Sequence, residues 1–143
     1  MKDFVSSENW SELSTLTGNA EHVPAALSGL LSNDRSEFEA SYWKIDNHVV
    51  VQSDLYSAAA VVPKYLEEIF PLATYKNDVL ELLYEIGNGS SESKALEDTC
   101  YREVIAVLDR LQDSEEPELE MKIKIKEYLA ELKAIRKDRD NCT

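Results

Sequence analysis

The chain has 143 residues, of which 43% are hydrophobic, and its formal net charge is −13. This length and apolar content suit one domain with a core of its own. Aspartate and glutamate outnumber lysine and arginine 28 to 15, which disfavours nucleic acid and anionic membrane as partners because both require a positive surface. A basic protein is the natural counterpart, although acidity can equally serve only to keep a small domain soluble.

The first helix is predicted from about Ser7 to Gly18, where the glycine is a typical stop signal. Asn19 then opens a second helix that runs to about Leu31. A third helix carries an apolar stripe of Phe38, Tyr42 and Ile45.

The segment 47–53 is rich in β-branched residues, yet we interpret it as an extended linker because a lone three-residue strand would leave its backbone unpaired. A long helix is predicted to follow, from about Leu55 to Phe70. Pro63 falls inside it and removes one backbone hydrogen bond, so we expect a kink or break near Ala59 to Ala60.

Three further helices complete the predicted fold. One runs from about Asp78 to Ile86 and another from about Ser93 to Leu111, with Cys100 on its buried face. The last spans residues 117–138. Its residues 121–126 alternate with period two, which is typical of a strand, but the flanking residues are strong helix formers, so we predict a helix. We therefore divide a single domain into an N-terminal capping helix (1–18), a repeat core (19–112) and a C-terminal capping helix (117–138).

An internal repeat supports this arrangement. The pattern Val23-Pro24-x-x-Leu27-x-x-Leu30 recurs about 40 residues later as Val62-Pro63-x-x-Leu66-x-x-Ile69, which is the period of paired-helix repeats. The sequence predicts an all-α fold of about seven helices in stacked antiparallel pairs. Arrays of this kind usually bind rather than catalyse.

The sequence has few residues that are candidates for catalysis or metal binding. His22 and His48 are the only histidines, they lie on different predicted elements, and neither has a neighbour at zinc-ligand spacing. Cys100 and Cys142 are too few for a disulfide framework, and a buried Cys100 would be inert. We therefore predict no catalytic residue, no metal site, no cofactor and no enzymatic activity.

The distribution of acidic residues is the remaining signal. In a stacked array the same face of successive helices forms one surface, so carboxylates from separate helices can merge, and tyrosines among them suit an interface. The alternatives are a solvated outer face for the acids and core packing for the tyrosines. The candidate partner-binding residues are Glu67, Glu68, Glu81, Glu85, Asp113, Glu115, Glu116, Glu118, Tyr65 and Tyr84.

Residues 40–66, ASYWKIDNHVVVQSDLYSAAAVVPKYL, resemble bacterial HEAT-like repeat proteins. The shared features are an aromatic-rich helix, a short connection, a Leu-Tyr-x-Ala-Ala element and a proline in the second helix, and the resemblance covers about residues 20–112. It implies a HEAT-like α-superhelix. Small acidic helical proteins of this appearance also resemble the immunity proteins of contact-dependent growth-inhibition and other polymorphic toxin systems, whose partner is often a basic nuclease domain.

The resemblance implies a cytoplasmic immunity protein that covers a toxin's active site with an acidic helical surface, as a monomer in the complex and without nucleic acid or membrane. The alternative is a HEAT-like adaptor or scaffold for an endogenous protein. A HEAT-like DNA glycosylase would need a basic groove, which this composition does not offer. The N-terminus shows no apolar run of signal-peptide length, and no segment approaches the roughly 20 apolar residues of a membrane span.

Overall fold

The computed structural model describes residues 8–51, 54–114 and 117–141, and six α-helices dominate this part of the chain. The predicted all-α fold is confirmed. The helices are α1 Val23–Gly29, α2 Arg35–Asp46, α3 Val62–Ile69, α4 Lys76–Gly87, α5 Lys94–Asp113 and α6 Leu119–Asn141. Shorter elements are the 3₁₀ helices Trp10–Glu12, Ser57–Ala60 and Phe70–Leu72, and the strands β1 Ser14–Thr15, β2 Gly18–Asn19, β3 Val50–Val51 and β4 Asp54–Leu55.

Local signals in the sequence explain where several helices begin. The side chain of Asp34 accepts hydrogen bonds from the backbone of Ser36 and Glu37, which caps α2. Ser93 caps α5 in the same way. The helices α1 and α3 each have a proline in the first turn, where its missing N–H costs nothing.

The helices stack as three consecutive pairs in two layers. The odd-numbered helices α1, α3 and α5 contact one another in order, α4 contacts α6, and each even-numbered helix contacts the odd-numbered helix before it. Arg35 at the start of α2 pairs with Asp78 at the start of α4 at 2.6 Å. Lys124 near the start of α6 donates to Asn77 of α4. The even-numbered helices α2, α4 and α6 therefore run parallel to one another.

A single hydrophobic cluster joins the layers, and the 40-residue repeat accounts for part of it. Val23 and Val62 occupy the same place, as the first residues of α1 and α3, and both are fully buried. Leu27 and Leu66, four residues later, are also fully buried. The repeat thus marks two helices that contact each other in one layer.

The predicted N-terminal helix is wrong for the described residues 8–18, and so is the predicted start of the second helix. The chain forms the 3₁₀ helix Trp10–Glu12 and then a hairpin in which Thr15 pairs with Gly18. Gly18 has φ +125°, which glycine adopts without strain, so this residue makes a hairpin turn and does not end a helix. Asn19 belongs to β2, and α1 begins only at Val23 and ends at Gly29.

The interpretation of 47–53 as a linker without a strand is also wrong for its described part, because Val50–Val51 pairs antiparallel with Asp54–Leu55; residues 52 and 53 lie outside the described residues. The partner is the segment that we had predicted to begin the long helix. Asp54 makes a further bridge to Ser90, so β4 has a neighbour on its other side. Pro63 therefore lies in the first turn of α3 and not in a helix interior, and the expected break is present as the 3₁₀ helix Ser57–Ala60.

The three C-terminal helices are confirmed, with each end within three residues of its predicted position. The end of α6 holds the ends of two other helices. Arg139 Nη2 donates to the carbonyl of Asn88 at 2.8 Å, and Arg139 Nη1 donates to the carbonyl of Gly89 at 3.2 Å. The same guanidinium lies 3.4 Å from Glu97 of α5.

Among the described helices, none has the length and apolar content needed to cross a membrane.

A methyl group at Gly29 is expected to destabilise the fold. The Cβ of Gly29→Ala would lie 2.7 Å from Ser41 Cβ on α2, and overpacking costs about 1–3 kcal/mol. The gain in helix propensity is about 1 kcal/mol, so the free energy of unfolding in urea should fall by up to about 2 kcal/mol. Ser28→Ala on the same helix is the control and should change it by less than about 0.5 kcal/mol. A rise of about 1 kcal/mol in Gly29→Ala, the full gain in helix propensity, would show that α1 and α2 are not in close contact.

The Arg139 contacts predict a second effect on stability. Arg139→Met should lower the free energy of unfolding by about 1–2 kcal/mol, because the carbonyls of Asn88 and Gly89, which directly follow α4, lose their donors. Lys137→Met, an exposed position two residues earlier, is the matched control and should be nearly neutral. Equal stability of the two variants, measured by urea denaturation, would contradict the capping role.

Candidate functional site

One side of α4 remains outside the hydrophobic core. Val79, Leu80, Leu82, Leu83 and Ile86 are fully buried. Between them, Glu81 and Glu85 are one turn apart and face the space between α2 and α6. We call this surface the α2–α4–α6 face and define it by Tyr42, Asp46, Glu81, Tyr84, Glu85, Tyr128 and Glu131.

The α6 side of the face is built from tyrosines and a carboxylate. The rings of Tyr84 and Tyr128 lie 4.8 Å apart between centroids. The hydroxyl of Tyr84 donates to Glu131 Oε1 at 2.6 Å. Desolvation and then this hydrogen bond raise the pKa of Tyr84 to about 12, so the phenol stays protonated at physiological pH.

The α2 side of the face contributes Tyr42 and Asp46. Burial is the largest cause of the raised pKa of Tyr42, and the carboxylates of Glu85, Asp46 and Glu81 add to it. Burial also raises the pKa of Tyr128 on the opposite helix, with Glu81 as the largest charge contribution. The two carboxylates of α4 therefore act electrostatically on a tyrosine from each neighbouring helix, which places all three helices on one continuous acidic surface.

Glu85 has the most unusual environment on this face. Its Oε2 is buried, and no hydrogen-bond donor among the described residues reaches it. Desolvation, followed by a hydrogen bond with Asp46 and repulsion from Asp46 and Glu81, raises the pKa of Glu85 to about 8. Two carboxylates can form such a hydrogen bond only if one is protonated, so Glu85 supplies the proton at neutral pH.

This arrangement suits the binding of cationic side chains. Carboxylates attract a lysine or arginine, and tyrosine rings add cation–π attraction. Lys124 Nζ already lies 5.6 Å from the Tyr128 ring centroid at one end of the face. No group of three or more His, Cys, Asp and Glu that could hold a metal ion occurs within residues 8–51, 54–114 and 117–141.

The predicted partner-binding residues do not form one surface. Glu81, Tyr84 and Glu85 lie on the α2–α4–α6 face. Tyr65 is only 5% exposed and packs against Trp10 with 5.7 Å between ring centroids, so it is a core residue and the prediction that it lies at an interface is wrong. Tyrosine spacing alone does not separate these two environments.

The other predicted acids lie elsewhere. Glu67 on α3 makes a two-pronged ion pair with Arg110 of α5, at 2.7 and 2.9 Å. Glu68 is exposed on α3, and Asp113 is exposed at the end of α5. Glu115 and Glu116 lie outside the described residues.

Glu118 and Glu67 both line an open cleft of about 940 Å³. It is formed by the connection between α3 and α4, the end of α5 and the start of α6. Its cations are paired or bonded within the protein, since Arg110 binds Glu67, Arg35 binds Asp78, and Lys76 donates to a backbone carbonyl. The cleft therefore offers no unpaired positive group among the described residues, in contrast to the unpaired carboxylate oxygen of Glu85.

Four residues of the face were missed from the sequence. Tyr42 was predicted to be part of an apolar core stripe, and it does pack against the hydrophobic cluster, but its place beside the carboxylates of α4 was not predicted. Asp46, Tyr128 and Glu131 were not predicted as partner-binding residues. The available signal was spacing, since Tyr42 and Asp46 are four residues apart, like Glu81 and Glu85, and Tyr128 and Glu131 are three apart. This spacing indicates a shared surface only once α2, α4 and α6 are known to be parallel.

The raised pKa of Glu85 predicts a pH-dependent stability. A carboxyl whose folded pKa exceeds its unfolded value stabilises the fold at low pH, and this stabilisation is lost as pH rises through about 8. Glu85→Gln should therefore raise the free energy of unfolding at pH 9 by about 1–2 kcal/mol, a value reduced because the side chain is only partly buried, with little change at pH 5. Urea unfolding at both pH values measures this.

The control for this prediction is Glu92→Gln, which removes a charge at an exposed position before α5. It should give the same difference from the parent protein at pH 5 and at pH 9. If Glu85→Gln behaves like this control, the carboxyl of Glu85 is ionised without penalty and the face is more hydrated than the geometry indicates.

No family model, no curated protein and no solved structure matches this chain. Any proposal for its function therefore rests on its own residues and their geometry.

Proposed function

We propose that this protein is an immunity protein that binds and neutralises a basic, nuclease-type toxin domain through the α2–α4–α6 face. The observation that supports the proposal is the gathering of carboxylates and tyrosines from three parallel helices around the unpaired Oε2 of Glu85. A lysine or arginine of the partner would pair with the exposed carboxylates of Glu81 and Glu131, and it would reach the buried Oε2 of Glu85 only if that side chain turned outward. Tyr42 and Tyr128 would flank that cation from the two neighbouring helices.

Charge complementarity would favour rapid capture. An acidic face on a chain of net charge −13 attracts a basic domain over several ångströms and orients it before contact. The same carboxylates would occupy the positions that a nuclease provides for phosphates. Inhibition of this kind requires no chemistry by the inhibitor, and the association rate should decrease as salt concentration rises.

Protonation of Glu85 should be coupled to binding. A partner cation beside this carboxyl favours its ionised form, so complex formation should release a proton. Affinity is then expected to increase between pH 7 and pH 9, as long as the partner's lysine and arginine side chains remain charged. Loss of this pH dependence in Glu85→Gln would assign the released proton to Glu85.

The test uses two variants of equal net charge. Glu81→Lys with Glu131→Lys reverses the face, whereas Glu92→Lys with Asp109→Lys makes the same charge change at exposed positions outside it. A pull-down from the native lysate at low salt, with mass spectrometry, identifies the partner. For that partner, the face variant should associate at least about tenfold more slowly than the parent, and the control should remain within about twofold. Equal rates for the two variants would contradict the assignment of this face.

The toxicity of the captured protein separates immunity from the alternative, an adaptor or scaffold function. A basic protein that arrests growth when expressed alone, with growth restored by the parent protein and not by the face variant, supports immunity. A non-toxic enzyme or structural protein bound at the same face would support the adaptor function and overturn the immunity proposal.

A further inference from the structure

The two histidines of the chain, which lie on different elements, meet in the folded protein. His22 precedes α1 and His48 follows α2, and their ring centroids are 4.8 Å apart in an edge-to-face arrangement. Neutral imidazoles pack favourably in this way. The pair lies outside the α2–α4–α6 face and is not used in the proposed binding.

His48 also holds the N-terminal hairpin formed by β1 and β2. Its backbone carbonyl accepts from the amide of Leu16 at 2.9 Å, and its Nδ1 lies 3.3 Å from Thr17 Oγ1. Leu16 and Thr17 form the turn of that hairpin. The histidine pair thus links three segments, namely the hairpin turn, the start of α1 and the end of α2.

Protonation of this pair is unfavourable for two geometric reasons. His22 Nε2 is buried, and no hydrogen-bond partner among the described residues reaches it, so a proton there would be a buried donor without an acceptor. The charged groups that act on His22 are His48 and Lys44, and both are cationic when protonated. A doubly protonated pair would therefore place three positive charges together.

The electrostatic environment of His22 also disfavours its protonation. Desolvation is the largest cause of its lowered pKa, followed by His48, and the backbone carbonyl of Lys44 opposes them only in part. A base with a lowered folded pKa stabilises the fold above its unfolded value of about 6.5, and this stabilisation is lost as pH falls through the folded value. Acidification is therefore expected to weaken the contact between the histidines.

We propose that the His22–His48 pair is an acid-sensitive latch, which holds the turn of the β1–β2 hairpin, Leu16 and Thr17, against the end of α2 at neutral pH and releases this turn on protonation. Release does not require global unfolding, because Ser14 on β1 remains hydrogen-bonded to Ser57, and Trp10 and Ala20 on either side of the hairpin remain in the hydrophobic cluster. The opening is local, and the amide of Leu16 reports on it directly because its acceptor is the carbonyl of His48.

Amide hydrogen exchange on the full chain tests this latch. The protection factor of Leu16, corrected for intrinsic exchange, should fall by up to about tenfold between pH 7.5 and pH 5.5, because His22 in the open form, with its ordinary pKa of 6.5, is protonated about ten to one at pH 5.5. Amides in the middle of α5 should keep their protection. His22→Phe preserves a packed ring without a proton and should remove the pH dependence at Leu16. Glu85 stabilises the fold as pH falls, which is the opposite of the effect of His22. Comparing His22→Phe with the parent at each pH cancels this contribution of Glu85.

Two results would overturn the latch. One is a Leu16 protection factor that is the same at both pH values in the parent, and the other is the same loss in parent and His22→Phe. If His22→Phe does not fold, the NMR titration of the His22 ring in the parent decides. A midpoint below 6.5, together with shifts of the Thr17 and Leu16 amides at that same midpoint, supports the latch, and independent midpoints contradict it.

Discussion

The burial of α4 is the constraint on which the rest of the structure depends. Five of its side chains are fully buried, because the helix contacts α3, α5 and α6. The strip of α4 that stays outside the hydrophobic core carries Glu81 and Glu85. The position of this strip, bordered by α2 and α6, determines which carboxylates are desolvated and which tyrosines lie beside them.

The ends of α4 are held by arginines from its two even-numbered neighbours. Arg35 of α2 pairs with Asp78 in the first turn, and Arg139 of α6 binds the carbonyls beyond the last turn. Both contacts interact favourably with the dipole of α4, since an acid lies at its positive N-terminal end and a cation at its negative C-terminal end. They also fix α2, α4 and α6 as parallel helices in register, and only in that register do Tyr42, Glu85 and Tyr128 share one surface.

The sequence was sufficient for the helical class and for the long helices, because α4 and α5 have a regular apolar spacing over many residues and α6 consists of strong helix formers. It failed for the short elements. The hairpins at Thr15–Gly18 and Val50–Leu55 are two residues per strand, too short for a periodic pattern, and their stability comes from partners that are visible only in three dimensions. The predicted N-terminal helix is therefore absent from the described residues, and the helices predicted at 19–31 and 55–70 are shortened to Val23–Gly29 and Val62–Ile69.

The candidate site was predictable only in part. Glu81, Tyr84 and Glu85 were found because they lie on a helix with clear periodicity. Tyr65 was misplaced, since a tyrosine near acidic residues can face either the core or solvent. The meeting of His22 with His48 could not be read from spacing at all, because it depends on how α1 and α2 pack against the hairpin.

Direct observation of the Glu85 carboxyl tests the central claim that packing of α2 and α6 beside α4 leaves this side chain desolvated next to Asp46. The measurement is a pH titration of the side-chain carboxyl carbon by NMR in the full chain. A midpoint near 8, with coupled shifts at Asp46, is expected from the buried pair. A midpoint near 4.5 would mean that the carboxyl is hydrated and that the α2–α4–α6 face is an ordinary solvated surface.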